Sequence, residues 1–294
     1  MLTYEFCTLC PRRCGVNRTR GELGFCRMPA HILAARAAPH YWEEPVISGN
    51  FGSGAVFFSG CTLGCRFCQN DSISHGGLGR EVSSPHLREI FLRLIDEGVE
   101  TLNLVTGTQF LPSILPALTP KLSVPVVWNS GGYETLETLR ALEGYVDVYL
   151  PDFKYSDSAL ARRLSGAEDY PEVAAAAIRE MYRQTGPAVT KDGILQRGVL
   201  IRHLILPGCV DNSLGVLDWI SDAFPRRDVL VSLMRQYMPM GPAAQEAPFD
   251  RPITDTEYDA VLSYLYFLGL ENGFTQEASA ADPQYVPTFN FEGI

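Results

Sequence analysis

Residues 59–70 read SGCTLGCRFCQN and place Cys61, Cys65 and Cys68 in the spacing C-x3-C-x2-C. They directly follow an apolar run, AVFFSG (55–60), which predicts a buried strand. Three thiolates can hold three irons of a [4Fe–4S] cluster, and without a fourth cysteine nearby one iron stays open for another ligand. The triplet alone also fits a zinc site completed by a distant histidine, or three cysteines without a cofactor.

From residue 55 onward, short apolar runs alternate with amphipathic patterns, which is typical of βα units around a parallel sheet. The predicted strands are 55–60, 101–107, 125–131, 146–153, 198–206 and 228–236. The predicted helices lie at about 85–97, 112–118, 134–143, 157–165, 171–185, 213–223 and 255–269, and 238–252 is predicted to be a loop. Covered parallel strands predict a partial (βα)6 barrel of the TIM-barrel kind, with functional groups at the carboxyl ends of the strands. This context favours the cluster over zinc.

A second group of cysteines lies near the start of the chain. Its members are Cys7, Cys10, Cys14 and Cys26, in the spacing C-x2-C-x3-C-x11-C. Four thiolates suffice for a structural zinc ion or for a second, fully ligated [4Fe–4S] cluster, so the group is either a closed structural site or an electron relay. We therefore divide the chain into a small cysteine-rich, metal-binding segment (1–50) and a barrel with a C-terminal extension (51–294). Cys209 is predicted to be a free thiol.

The composition is that of a soluble globular protein. Of its 294 residues, 46% are hydrophobic, and the net charge of −10 with a pI near 5.0 argues against nucleic-acid binding. The sequence shows neither a long apolar run nor a signal peptide, so we expect a cytoplasmic protein that does not enter a membrane. Seven of the eight cysteines fall in the two groups, which in a reducing compartment indicates metal rather than disulfides.

The chain resembles the pyruvate formate-lyase activating enzymes of the radical S-adenosylmethionine (SAM) superfamily, and in particular a stand-alone branch with extra cysteines before the cluster motif. The resemblance is carried by CTLCPRRCGVNR, SGCTLGCRFCQN, WNSGGYE, VYLPDFKY, IRHLILPG, LMRQYMP and GLENGFTQE. It implies a [4Fe–4S] cluster on Cys61, Cys65 and Cys68, SAM as cosubstrate, and reductive cleavage of SAM to a 5′-deoxyadenosyl radical that abstracts hydrogen. We expect the three cysteines to be the catalytic centre.

The resemblance also implies contacts to SAM. The family's Gly-Gly-Glu segment falls on Thr106, Gly107 and Thr108, where the acid is missing. Asp152 and Lys154 resemble the family's Asp-x-Lys pair and project from one face of a strand, although a salt bridge at the barrel rim is the alternative.

Other contacts to SAM follow from the same comparison. Asn129 and Ser130 stand where relatives often have Asp-Thr and suggest ribose contacts, while Gln236 is predicted to touch adenosine. Arg202 and His203 are neighbours on one strand, so only one side chain points inward, and the family pattern favours Arg202. We therefore expect His203 to be packed or at the rim.

The leading hypothesis is an activase that removes a hydrogen atom from a glycine of a partner glycyl radical enzyme, with an electron donor such as a flavodoxin or ferredoxin. One alternative is a radical SAM enzyme that acts on a small molecule or another peptide residue. The other is a non-enzymatic iron–sulfur or zinc electron-transfer protein.

Overall fold

The computed structural model describes residues 2–280 and 287–294 and contains one large sheet. Its strands are β1 (Ile32–His40), β2 (Ser53–Phe58), β3 (Arg80–Val82), β4 (Thr101–Val105), β5 (Val126–Ser130), β6 (Val148–Pro151), β7 (Val189–Lys191), β8 (Ile194–Leu204), β9 (Leu230–Met234) and β10 (Gly273–Thr275). The α-helices are α1 (Pro45–Ser48), α2 (Asp71–Ser74), α3 (Ser84–Asp96), α4 (Leu111–Ile114), α5 (Leu136–Leu142), α6 (Ser158–Ser165), α7 (Tyr170–Thr185), α8 (Val210–Ala223) and α9 (Asp255–Phe267).

The centre of the sheet consists of parallel strands in the order β2-β4-β5-β6-β8-β9. β1 pairs with β2 in antiparallel orientation, β3 pairs with β1, and β10 pairs in parallel with β9 at the other edge. The sheet therefore ends in two separate edges and does not close into an eight-stranded barrel. This confirms the predicted α/β fold and partial barrel.

Each of the six predicted strands and seven predicted helical segments corresponds to helix or strand in the structure, with boundary differences of a few residues. The segment predicted near 112–118 is divided between α4 and a short 3-10 helix, Leu115–Leu118. Helix α3 begins where Ser83 accepts a hydrogen bond from the amide of His86, which is N-capping of the usual kind.

The principal difference lies before residue 50. β1 is a nine-residue strand that pairs with β2 from Ala34↔Phe58 to His40↔Ser53. The sheet thus extends across the boundary that the sequence suggests between residues 50 and 51. Small alanine side chains let β1 lie against a covered sheet, and this pattern lacks the large apolar residues by which the other strands are recognised.

The segment between β1 and β2 enters the barrel. Ile47, in α1, is fully buried among strand residues that include Val127, Leu150 and Leu200. Each of these strand residues is two positions before Asn129, Asp152 or Arg202. Alternate side chains of a strand point to the same face, so both sets face the barrel interior. α1 therefore closes one end of the barrel interior, and the residues just before it lie at the floor of the central cavity.

Candidate functional site

A cavity of about 370 Å³ lies at the carboxyl ends of the parallel strands and opens to solvent. It brings together most of the predicted site residues, namely Cys61, Cys65, Cys68, Thr106, Asn129, Ser130, Asp152, Lys154, Arg202 and Gln236. These side chains come from six different strands or the loops that follow them, and they are as much as 175 positions apart in the sequence. The parallel order of the strands is the physical reason that they meet.

The three-cysteine loop leaves β2 through Gly60, whose φ of +77° is in the region that favours glycine. A Cβ atom there would lie 2.3 Å from Cγ of Met28, so a side chain has no room. The loop then turns back to the cavity, where all three cysteines contribute to the lining. The backbone of this loop therefore sets the positions of the thiols.

Each sulfur of the triplet accepts a hydrogen bond. Sγ of Cys61 lies 3.4 Å from the amide of Leu63, Sγ of Cys65 lies 3.2 Å from the hydroxyl of Ser165, and Sγ of Cys68 lies 3.3 Å from the hydroxyl of Ser74. Donors directed at sulfur stabilise thiolate ligands and tune iron–sulfur centres. The donor set therefore fits a cluster bound through three thiolates.

Without a bound cation, the thiols of Cys61 and Cys68 hold their protons. Burial, together with the neighbouring thiols, raises the pKa of Cys61 to about 12, and burial also raises the pKa of Cys68. A bound metal centre reverses this effect because its positive charge favours the thiolate. Among the described residues, no three His, Cys, Asp or Glu side chains converge on a single ion.

A buried ion network stands beside the cysteines. Oδ2 of Asp152 lies 2.6 Å from Nζ of Lys154, and its Oδ1 lies 2.9 Å from Nε of Arg202. Burial alone would raise the pKa of Asp152, but the two cations hold it below its usual range. Asp152 and Glu43 together balance the charges of Lys154 and Arg202, so an added carboxylate would share these two cations with the resident acids.

The floor of the cavity contains an acidic residue that the sequence reasoning missed. Oε2 of Glu43 lies 3.0 Å from Nη1 of Arg202, and its Oε1 accepts a hydrogen bond of 3.1 Å from Nδ2 of Asn129. His40 and Trp42 line the cavity from the same segment. One sequence feature could have indicated Glu43. The motif HYWEEP places two glutamates directly after an aromatic residue, in an otherwise basic stretch.

The polar residues at the ends of β5 and β9 each have a hydrogen-bond partner within the protein. Asn129 Oδ1 accepts a hydrogen bond of 2.6 Å from Arg202, and the hydroxyl of Ser130 accepts one from the amide of Gly132. Gln236 accepts a hydrogen bond of 3.0 Å from the side chain of Gln276. All three predicted residues line the cavity, and their contacts with SAM stay predictions.

The predicted Gly-Gly-Glu equivalent is only partly in the cavity. Thr106 lines it with the unusual φ of +58°, whereas Gly107 and Thr108 are not among the lining residues. The hydroxyl of Thr108 instead donates a 2.7 Å hydrogen bond to Glu134, which is buried. A direct side-chain contact from Thr108 to SAM is therefore not supported, because its hydroxyl donates to Glu134 and Thr108 does not line the cavity.

Glu134 should make stability depend on pH. Its burial raises the pKa from 4.5 to about 7, although the Thr108 hydrogen bond opposes the shift. Because the folded pKa is raised, the stabilisation is complete below the unfolded pKa and is lost as the pH rises through about 7. Between pH 5 and 8 we expect a loss of about 2–3 kcal/mol from this group. Glu134→Gln should remove this part of the pH dependence of the unfolding midpoint.

The matched control is Glu137→Gln, because Glu137 is three residues further along the chain, at the start of α5, and its side chain is 59% exposed. The control should keep the pH dependence of the wild type. Equal pH slopes for Glu134→Gln and the wild type would contradict the assignment.

Two further residues that the sequence singles out, His203 and Cys209, also lie outside the cavity lining. His203 is fully buried, with Nδ1 2.7 Å from the carbonyl of Phe153 and Nε2 2.8 Å from the hydroxyl of Ser213. Burial lowers its pKa to about 4, so it is a neutral, packed histidine. Cys209 is a free thiol at the start of α8. These positions agree with the predicted packing of His203 and the predicted free thiol.

The N-terminal cysteines form a separate group beside the cluster loop. Cys7 and Cys10 are buried, Cys26 is half-buried and Cys14 is exposed, and all four are free. Gly24 packs against Cys14, where an added Cβ would lie 2.9 Å from Sγ. The structure therefore gathers the four predicted residues in one segment.

Comparisons with known proteins identify the family. A family model of the radical SAM superfamily matches residues 55–203, which are half of the chain. An uncharacterized protein of Methanocaldococcus jannaschii is 31% identical over 269 residues, which cover 88% of this chain and 74% of that protein. The chain belongs to the radical SAM superfamily. Membership implies a [4Fe–4S] cluster and SAM, and the cysteine triplet with its cavity fits both.

Solved structures share the fold. SuiB of Streptococcus suis bound to its precursor peptide SuiA superposes with a TM-score of 0.51 and 14% identity over 76% of this chain. The chain spans about half the length of SuiB, 49% of it. A domain of a pyruvate-formate lyase-activating enzyme from Bacteroides vulgatus is 13% identical, and the match covers 66% of this chain and 91% of that domain with a TM-score of 0.38.

Among the described residues, no helix is long and apolar enough to cross a membrane.

Proposed function

We propose that this chain is a glycyl-radical-enzyme activase, which removes a hydrogen atom from a glycine of a partner protein. The proposal rests first on the motif resemblance across the chain. Its principal structural support is the size of the cavity. At about 370 Å³ it is near the lower limit of cavities that hold one drug-sized ligand, so SAM would occupy most of it. The hydrogen donor would then enter from the open side.

A cluster on the cysteine triplet, together with SAM, would supply the one-electron cleavage that gives methionine and a hydrogen-abstracting 5′-deoxyadenosyl radical. The protein contributes binding and orientation. Lys154 and Arg202 provide the positive charge for the carboxylate of SAM, and Asp152 holds both cations in place. Asn129 and Gln236 offer polar contacts to the nucleoside.

The open side of the cavity suits an extended peptide. Trp42 lines the cavity while 63% exposed, and a partly exposed tryptophan at a rim presents a large apolar face to a partner chain. A partial barrel leaves this side accessible, since the sheet has two edges. SuiB, which shares this fold, was crystallised bound to its precursor peptide SuiA, so the fold is compatible with peptide binding.

The test is to mix the reduced holoenzyme and SAM with candidate glycyl radical enzymes under anaerobic conditions. We expect a glycine-centred doublet in the electron paramagnetic resonance spectrum of one partner. Deuterium at the α-carbon of that glycine should appear in 5′-deoxyadenosine, because the radical takes that atom. A partner with the glycine replaced by alanine is the matched control and should give no doublet.

If no candidate gives the doublet while a small molecule stimulates 5′-deoxyadenosine release severalfold, the activase proposal fails. The alternative of a radical SAM enzyme for a small molecule then takes its place.

A further inference from the structure

We propose that Cys7, Cys10, Cys14 and Cys26 bind a second iron–sulfur cluster, which passes electrons from an acidic carrier protein to the cysteine triplet. The carrier would be oxidised by one electron, and the triplet site would be reduced by one. This inference rests on membership of the radical SAM superfamily and not on the identity of the hydrogen donor. We call residues 2–31 the N-terminal cysteine segment.

The segment is folded so that its four cysteines come from adjacent turns. The amide of Cys7 donates to the carbonyl of Val16, and the amide of Gly15 donates back to the carbonyl of Cys7. The amide of Phe25 lies 3.3 Å from Sγ of Cys14, which joins the third turn to the second. A backbone donor to sulfur is the same kind of contact that the cluster triplet receives.

A buried arginine in the segment needs a negative partner. Arg18 is 2% exposed, and its guanidinium donates to the carbonyls of Met28, Pro29 and Gln109. Among the described residues it contacts no carboxylate, but Nη1 lies 3.9 Å from Sγ of Cys7. A buried cation without a counter-charge is costly, and metal-bound thiolates would supply that charge. Aromatic rings beside the guanidinium offset part of this cost, and an anionic cluster on the four thiolates would supply the counter-charge that it lacks.

The segment is in direct contact with the cluster loop. The guanidinium of Arg12 donates to the carbonyls of Thr62 at 3.1 Å and Leu63 at 2.9 Å, which lie between two cysteines of the triplet. Gly60, which precedes Cys61, also packs against this segment. A Cβ atom added to Gly60 would lie 2.9 Å from the carbonyl oxygen of Cys26. The N-terminal cysteine segment is thus packed directly against the loop that carries the triplet, and this adjacency suits an electron relay.

The contact with the cluster loop favours a cluster over zinc. Four thiolates can hold either a structural zinc ion or a fully ligated [4Fe–4S] cluster. Zinc has no redox chemistry and could not pass an electron to the neighbouring triplet, whereas a cluster could.

The surface of the segment indicates the chemistry of the donor. The segment contains five arginines and two glutamates, in a chain whose net charge is −10. Arg13, Arg20 and Arg27 are exposed, and Phe6 and Leu23 are 64% and 55% exposed among them. A basic, partly apolar patch on an acidic protein is complementary to an acidic carrier, such as a ferredoxin or flavodoxin.

The metal content of the anaerobically prepared full-length protein gives the first test. We expect about eight irons and eight sulfides per chain, which correspond to two [4Fe–4S] clusters, and no bound zinc. Cys10→Ala should lose one cluster's iron, whereas Cys209→Ala, the matched control outside both groups, should lose none. One zinc ion with about four irons per chain would overturn the proposal.

The second test compares two reductants in SAM cleavage. Dithionite, a small reductant, should drive SAM cleavage by the Cys10→Ala variant. Reduced ferredoxin should not drive SAM cleavage by this variant. Equal activity with both reductants would overturn the relay. Because dithionite-driven cleavage reports the radical chemistry alone, failure of the relay is distinguishable from failure of the proposed function.

A surface variant keeps the test decisive if Cys10→Ala does not fold. Arg20→Glu should retain all iron and its dithionite-driven rate, but its rate with reduced ferredoxin should fall about tenfold at low salt. The control is Arg197→Glu, an exposed arginine outside the segment, which should leave both rates unchanged. Unchanged ferredoxin kinetics for Arg20→Glu would overturn the docking surface.

Discussion

Replacing any one of Cys61, Cys65 and Cys68 with alanine is expected to reduce SAM cleavage to background. In the proposed site each thiolate would bind one iron of the cluster, and each sulfur also receives its own hydrogen bond, so the remaining two could not take over the role of the third. The measurement is 5′-deoxyadenosine formed by anaerobically reconstituted protein with SAM and dithionite, together with iron and sulfide content.

Cys209→Ala is the matched control, because this free cysteine belongs to neither group. It should form 5′-deoxyadenosine at the rate of the wild type. Cleavage retained by all three triplet variants would contradict the assignment of the cluster to this loop.

The second large effect concerns Asp152 and Lys154. We expect Asp152→Asn and Lys154→Ala to weaken SAM binding by about 1–3 kcal/mol each, the range for a lost charged hydrogen bond. In the proposed site Lys154 would provide a cation for the carboxylate of SAM, and Asp152 holds the ammonium group of Lys154 at 2.6 Å. Both variants should keep the iron of the wild type, because neither residue is a cluster ligand.

Equilibrium binding of SAM to the cluster-loaded protein measures this effect. Asp96→Asn changes an exposed carboxylate to an amide and is the control with unchanged affinity. Wild-type affinity in both cavity variants would mean that the pair is only a salt bridge at the rim of the barrel.

The sequence was sufficient for the central part of the fold. Strands such as 101–107 and 125–131 are continuous apolar runs, and burial on both faces of a parallel sheet produces that pattern directly. The cysteine triplet was also recognisable, because its ligands are neighbours in one loop. Strand-end polar residues such as Asp152 and Arg202 could be placed, since parallel strands present their ends at one edge.

Other features depend on tertiary contacts that a local pattern does not encode. β1 is rich in alanine, and only its pairing with β2 makes it a strand. Glu43 reaches the cavity because Ile47 is packed inside the barrel, four residues later in the chain. Likewise, Glu134 meets Thr108 across neighbouring strand ends, 26 positions away in the sequence. These approaches are set by packing between segments that are distant in the sequence.

The most direct measurement of the central claim is the product balance of SAM cleavage by the wild-type protein. Reconstituted enzyme, SAM and limiting reductant should give equal amounts of methionine and 5′-deoxyadenosine, and no cleavage should occur without the reductant. Intact SAM after reduction, or a product set without 5′-deoxyadenosine, would contradict the account that this cavity supports radical SAM chemistry.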